Sequence, residues 1–270
     1  MGFVVLGRAA VLNTGVTEHD FSVIRSVGFV LAVLFAVGLQ SIRPHARLRG
    51  SWQTNCGLWA INLAVLGTVC GACACTVARW AEIRELGLFS VARLPRWMAV
   101  AGSVVALDLV SYCWHRANHL IPFLWRFHRV HHSDIAFTVS TGARFHPGEL
   151  VLSLPLRLAA VVLLGAPPEG VLLFELVFNT ANLVEHGNTN FPVAVEGAVA
   201  RVLITPALHR FHHSRHWANL NTNFGTIFAV WDHVFGTYRA NSSSTEVQTG
   251  LPGVNKPTGF RDVLLLPALR

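Results

Sequence analysis

Lysine is nearly missing. Lys256 is the only one in 270 residues, so arginine carries almost all of the formal +7 charge. Charged residues of both signs make up 13% of the chain, about half of the ~25% usual for a soluble globular domain. With a mean hydropathy of +0.47, that shortage excludes an ordinary soluble domain. The arginines are scattered among flanking loops and histidine motifs rather than gathered in a stripe, so the basic balance does not describe a nucleic-acid partner. A disulfide framework is also missing: Cys56, Cys70, Cys73 and Cys75 share one apolar run and Cys113 ends another. Cys70 and Cys73 have the spacing of a redox or zinc pair, but thiols in such a run read better as small buried hydrophobes. There is no flavin or nicotinamide fingerprint, no repeat of solenoid length and no appended cytochrome-like domain. The opening residues, MGFVVLGRAAVLNTG, are too short and lack the cleavage site for a signal peptide, and Leu6 breaks the myristoylation pattern.

What the chain does have is long apolar runs. Residues 22–41 and 52–78 are each long enough to span a hydrocarbon core, which takes roughly 20 residues. A third run covers 97–114, and a fourth, 149–183, is broken at GAPP, residues 165–168. That break predicts two short helices that dip into the membrane or cross it twice. The expectation is an all-α polytopic membrane protein with about four transmembrane helices and a helical cap on the cytosolic face. Arg43, Arg47 and Arg49 favour a cytoplasmic first loop, while Arg79, Arg84, Arg93 and Arg96 split the vote. Residues 79–94 read as an interfacial amphipathic segment. The chain divides into a membrane anchor (1–96), a chemistry-bearing region (97–240) and a C-terminal tail (241–270), whose last residues, LLLPALR, are expected on the membrane surface.

Of 14 histidines, 12 lie between Ala106 and Tyr238. His115 and His119 are four apart, hence on one face of a helix. The stretch LWRFHRVHHSD (124–134) supplies His128, His131 and His132, and ALHRFHHS (207–214) repeats the H-x-x-H-H pattern with His209, His212 and His213. Three imidazoles on one helix turn repel if protonated and need hydrogen-bond partners if neutral; a metal ion resolves both problems. Eight exceed what one tetrahedral zinc uses, whereas two adjacent metals use them naturally. Imidazole suits zinc, copper, iron and nickel alike, so the element stays open on spacing alone.

The ordered set Asp108, Tyr112, His115, Arg116, His119, then LWRFHRVHHS, then Arg144, His146, Pro147, Glu149, then HRFHHS and finally WDHVFGTY resembles the fatty acid hydroxylase/sterol desaturase superfamily over roughly residues 97–240. The resemblance implies a membrane di-iron oxidoreductase that activates dioxygen to hydroxylate or desaturate a C–H bond of a sterol, carotenoid or fatty acyl lipid. It implies that His115, His119, His128, His131, His132, His209, His212 and His213 ligate two iron ions, with zinc a possible substitute in recombinant protein. His186, in NLVEHGN, falls where the family places a further metal-binding histidine. Asn182, one turn earlier, is expected to support the site, or simply to pack as an amide. Asp108, an ionisable residue in an apolar span, marks function by default and is expected to hydrogen-bond a ligating imidazole; Asp134, Glu185 and Asp232 are further candidates. His146 is expected to be structural or to line an entrance, His216 to flank the site, and His233 to lie at the surface; His19 and His45 belong to the anchor. Without a nucleotide fingerprint, electrons must come from an external ferredoxin or cytochrome. The metal site is expected at the cytoplasmic face, in the inner membrane of a bacterium or the endoplasmic reticulum of a eukaryote. A histidine-rich metal transporter and a zinc-stabilised non-catalytic membrane protein are the alternatives.

Overall fold

A backbone in hydrocarbon has to satisfy its own hydrogen bonds, so long apolar runs become helices. The computed structural model describes residues 18–46, 51–69, 74–240, 247–254, 256 and 258–269. The opening residues, Cys70, Cys73, Arg47 and Arg49 lie outside them. The elements run α1 (Glu18–Ile42), α2 (Trp52–Val69), α3 (Ala74–Ile83), α4 (Leu88–Val91), α5 (Arg96–Leu120), α6 (Pro122–His132), α7 (Pro147–Leu164), α8 (Pro168–Glu185), α9 (Val193–Val199), α10 (Pro206–His212), α11 (Trp217–Leu220), α12 (Val230–Val234) and α13 (Phe260–Leu265). Pairing between strands is limited to isolated bridges among the described residues. The described residues form an all-helical fold.

Among the described residues, three helices are long and apolar enough to cross a membrane: His19–Ile42, Arg96–Leu120 and Pro147–Leu164. α1 shows why a lipid phase is needed. Its Val27, Val30, Leu31, Leu34 and Phe35 are each more than half exposed, a continuous apolar face that water would not tolerate. Its other face puts Ala32 and Ala36 against Leu183 of α8, small residues that let the two backbones approach. Within the run expected over 52–78, α2 and α3 stand on either side of residues 70–73, which lie outside the described residues. α2 carries Gln53, Asn55 and Asn62, and the two asparagines are buried, so this helix serves an internal polar network as well as the lipid. Cys75 is buried, but Cys56 and Cys113 are exposed, against the expectation of uniformly buried thiols. They sit on outward helix faces.

The expected break at 165–168 is present. Gly165 closes α7 in the left-handed conformation (φ 65°), and Pro168 opens α8 at its first turn, where proline's missing N–H costs nothing. The turn packs backbone to backbone on Gly87 (φ 93°): a Cβ on Gly165 would meet the Leu86 carbonyl at 2.4 Å. Gly165→Ala therefore combines a left-handed penalty of about 1–2 kcal/mol with a clash, and is expected to lower the thermal midpoint clearly. An unchanged midpoint would mean that the α4–α7 contact is not as tight as described.

Behind this turn, Cys75, Leu107, Val161, Val171 and Phe174 form the main core between α3, α5, α7 and α8. The tail packs against the helices. Val263 of α13 packs with Leu58 and Val130, Arg129 donates to the Leu266 and Leu269 carbonyls, and Thr249 bridges Ser214 beside the second H-x-x-H-H. The C-terminal segment clamps α2 and α6.

Candidate metal centre

Two helix junctions gather the histidines. Ile121 precedes a proline and is held extended, because the α region is disfavoured there; α5 stops and α6 restarts at Pro122. This turn folds His115 and His119 back onto His128 and His132, with ring centroids of His119–His128 and His119–His132 at 4.8 and 4.7 Å. Thr205 caps α10 by accepting from the Leu208 N–H at 3.3 Å, a side-chain cap of the usual kind, and Pro206 starts the helix that presents His209 and His212. His186 and His213 stand at the C-caps of α8 and α10.

The nine histidines converge as two adjacent groups. His115, His119, His128, His132 and His212 form one; His131, His186, His209 and His213 form the other, each with its nitrogens within 4.8 Å of one another. Each H-x-x-H-H is shared between them. At about 100° per residue, positions i+3 and i+4 fall on opposite sides of i. His128 and His132 therefore serve the first group while His131 turns to the second, and His209 and His213 serve the second while His212 turns to the first. The groups touch where His132 and His213 stack at 4.2 Å.

Backbone carbonyls and one carboxylate decide which nitrogen of each ring is free. A carbonyl only accepts, so His115 donates from Nδ1 to Phe224 O (2.8 Å), His212 to Thr222 O (2.7 Å) and His186 to Asn182 O (2.6 Å). His128 Nδ1 meets Glu149 Oε1 at 2.9 Å, the carboxylate–histidine arrangement that orients metal ligands. In each of these rings the proton sits on Nδ1 and the Nε2 lone pair is left over. Nε2 of His115, His119, His128 and His212 is buried with no hydrogen-bond partner, as are both nitrogens of His132 and His213. In the second group the Nε2 atoms of His131 and His209 lie 3.0 and 2.9 Å from His186 Nε2, so three rings point at one place. Unpaired buried polar atoms cost about 1–3 kcal/mol each, and so many together need a shared partner. A cation fits that set; water does not, since the lone pairs converge from every side. Burial, then the neighbouring rings, hold His131, His132, His209 and His213 well below the usual histidine range. Burial takes His186 down to about 4 and His212 to about 3. All are neutral near pH 7, the form that ligates.

Aromatic rings seal the cluster. Phe145 stacks on His131 at 4.5 Å, Trp125 lies 5.1 Å from His119 and Phe137 5.1 Å from His213. Below it opens a cavity of about 250 Å³, lined near the top by His115, His128, His131, His186 and His209 and further down by Phe29, Trp59, Leu63 and Phe178. The metal-sized groups thus stand at the head of a mostly apolar space between the membrane helices.

The expected supporting residues are placed differently. Asp108 is fully buried, but its carboxylate accepts from the N–H groups of Ile227 and Phe228 (3.2 Å each) and from Trp231 Nε1 (2.9 Å), not from an imidazole. Asp232 accepts from the Phe224 and Gly225 N–H groups at 2.8 and 2.9 Å. The two acids fasten the 222–231 loop, and that loop's carbonyls hold His115 and His212. Asp108 therefore acts on the histidines through the backbone. Asp108→Asn turns one acceptor oxygen into a donor facing donors and is expected to lower thermal stability by about 1–3 kcal/mol while excess metal still loads the protein. Unchanged stability would detach Asp108 from the loop, and complete metal loss would make it a ligand.

Asn182 donates to the Gly142 carbonyl at 2.8 Å and lines the cavity; its backbone oxygen, not its amide, orients His186. Asp134 ties Ser51, Asn55 and Thr141 together without touching a histidine. Glu185 is buried, with Oε1 3.7 Å from nitrogens of His186 and His209, near the second group but beyond hydrogen-bond length. His146 caps α7 by accepting from Gly148 N, a structural role. His216 precedes α11 and His233 stacks on Tyr238 at 4.0 Å; neither joins a group. Glu149, given above only as part of the Arg144–His146–Pro147–Glu149 signature, is the carboxylate that meets an imidazole of the first group within hydrogen-bond length. The carbonyls of Thr222 and Phe224 carry no side-chain signal at all.

Comparison with known proteins agrees with this centre. Residues 100–237 match the fatty acid hydroxylase family. Ornithine lipid hydroxylase OlsE of Rhizobium tropici is 32% identical over 58% of this chain and 46% of its own. Alkylglycerol monooxygenase of Danio rerio is 28% identical over 62% of this chain and 34% of its own, and a cholesterol 25-hydroxylase-like protein of the same fish 29% over 51% and 54%. The chain spans about half of the length of these relatives, or less. No solved structure gives a significant match. Because the matched region contains every histidine of both groups, from His115 to His213, the chain belongs to the fatty acid hydroxylase family.

Proposed function

We propose that this protein is a membrane-embedded dimetal oxygenase that hydroxylates or desaturates a C–H bond of a lipid, using dioxygen and electrons from an external ferredoxin or cytochrome. The observation that carries this reading is the convergence of two adjacent histidine groups on a cavity whose lining is mostly apolar. His115, His119, His128, His132 and His212 hold one metal; His131, His186, His209 and His213 hold the other, with iron the working element. Aliphatic C–H bonds have no acidic proton and no leaving group, so side-chain acid–base chemistry cannot attack them; bound iron with dioxygen supplies the oxidising power that they require.

The chain's own residues do the rest. Glu149, Asn182 and the loop carbonyls hold the imidazoles in the ligating tautomer. Trp125, Phe137 and Phe145 keep bulk water from the cluster. Phe29, Trp59, Leu63 and Phe178 receive the apolar chain and exclude water from the space beside the reacting carbon. In this reading α2 and the α7–α8 pair complete about four spans around the region 97–240, and the centre faces the cytoplasm, where soluble electron donors reach it.

The relatives named ornithine lipid hydroxylase, alkylglycerol monooxygenase and cholesterol 25-hydroxylase-like protein support lipid oxidation and leave the lipid open. Purified, iron-loaded protein in lipid nanodiscs, given a reductase–ferredoxin couple and ¹⁸O₂, is expected to yield a lipid carrying one ¹⁸O atom or a new double bond. No oxidised lipid under those conditions, with two metals bound, would contradict the proposal in favour of a metal carrier or a zinc-stabilised scaffold.

A further inference from the structure

One cation in the cavity has no role in the centre. Arg157 lies on α7, eight residues after Glu149, with Ser153 midway; all three line the cavity. Positions i, i+4 and i+8 share a helix face, and at 1.5 Å per residue Arg157 stands about 12 Å from the level of Glu149, two turns deeper in a helix that is long and apolar enough to cross the membrane. Its guanidinium lies 5.6 Å from the centroid of the Phe178 ring, and Arg157 is an exposed residue at the open side of the cavity. An ionised side chain at this depth is costly and is kept for a purpose. Two carboxylates lie within its field, Glu175 and Glu149, but each is engaged elsewhere: Glu175 faces Arg25 at 3.6 Å, and Glu149 holds His128. The ring face of Phe178 is a weak partner for a full charge.

We propose that Arg157 receives the anionic oxygen of the substrate, a carboxylate or phosphate on an amphiphile, and so makes the cavity selective for acidic lipids over neutral ones of the same length. Arginine's planar fork matches either group with two parallel hydrogen bonds. Asn179, which also lines the cavity, adds a neutral polar contact at the same level of the bilayer. With the anion anchored about 12 Å from the level of Glu149, the chain between them is measured off along the cavity, and Arg157 sets which carbon reaches the histidine groups. This inference deepens the lipid-oxidising reading of the same cavity, yet it concerns binding and needs no turnover.

The test therefore uses zinc-loaded full-length protein, in which the centre is filled with a redox-inert ion, in nanodiscs of neutral lipid, at alkaline pH where carboxylates are ionised. Displacement of a spin-labelled neutral lipid probe measures binding of stearate, octadecyl phosphate and octadecanol. The wild type is expected to bind at least one of the two anions at least about tenfold more tightly than the alcohol, the scale of a charge-assisted pair; whichever anion is preferred identifies the source. Arg157→Met and Arg157→Gln are expected to bind all three alike, with the alcohol's affinity kept, which also reports that the cavity is folded. Equal affinity for alcohol and both anions in the wild type overturns the proposal without any variant. So does an anion preference that survives both substitutions. A preference that depends on Arg157 in a protein that oxidises nothing would uphold this inference and sink the proposed function; oxidation of neutral lipids without any preference would do the reverse.

Discussion

Replacing His131 or His212 with alanine is expected to abolish lipid oxidation, a loss well beyond the 10–100-fold typical for a residue that only supports a ligand. These two histidines are the ones that cross over: each sits on a helix whose other histidines serve the opposite group. Removing either takes a ligand from one metal while its helix neighbours still hold the other. Bound metal is expected to fall by about one ion per chain rather than to vanish. His19→Ala, at an exposed position on α1, is expected to change neither metal content nor turnover. Matching losses at all three positions would show a general effect on folding instead of ligation.

The second large effect is expected at Glu149. Its carboxylate is buried and takes His128 Nδ1 at 2.9 Å and Asn118 Nδ2 at 3.2 Å. Glu149→Ala leaves the imidazole proton without an acceptor and lets the ring turn, so turnover and metal affinity are expected to fall about 10–100-fold. Glu149→Gln keeps an oxygen that can accept from Nδ1 and is expected to recover part of that loss. Titration of the five-histidine group with a spectroscopic divalent ion such as cobalt separates the variants from wild type. An alanine variant with wild-type affinity would reduce Glu149 to a packing residue.

Much of this architecture is legible in the sequence because two periodicities are strong. Apolar runs near 20 residues announce helices in lipid, and the Gly165-to-Pro168 break marks a helix pair without any ambiguity of period. The histidine spacing is equally readable: i, i+3 and i+4 on one turn already imply that i+3 and i+4 diverge, and the split into two groups follows from that angle. Within the run over 52–78, hydropathy averages over Asn55 and Asn62, whose amides face inward to Asp134 and the Phe145 carbonyl. The carboxylate on α5 misleads. An acid seven residues from His115 on one helix face looks like its partner, but the 222–231 loop comes between them and takes its hydrogen bonds. That loop is distant in sequence, and its contribution is made by main-chain carbonyls, which every residue possesses and none advertises. Phe137, Phe145 and Trp125, which wall the centre, are likewise ordinary aromatics until the fold sets them against imidazoles.

The most direct measurement is metal content with Mössbauer spectroscopy on protein loaded with ⁵⁷Fe. Two iron ions per chain are predicted, one in each of the five- and four-histidine groups that meet at the His132–His213 contact of 4.2 Å, and magnetically coupled through a ligand the two ions would share. His119→Ala and His209→Ala, one from each group, are each predicted to lose one iron and the coupling. One iron or fewer per chain in the fully loaded wild type, or two uncoupled irons unaffected by either substitution, would contradict the account.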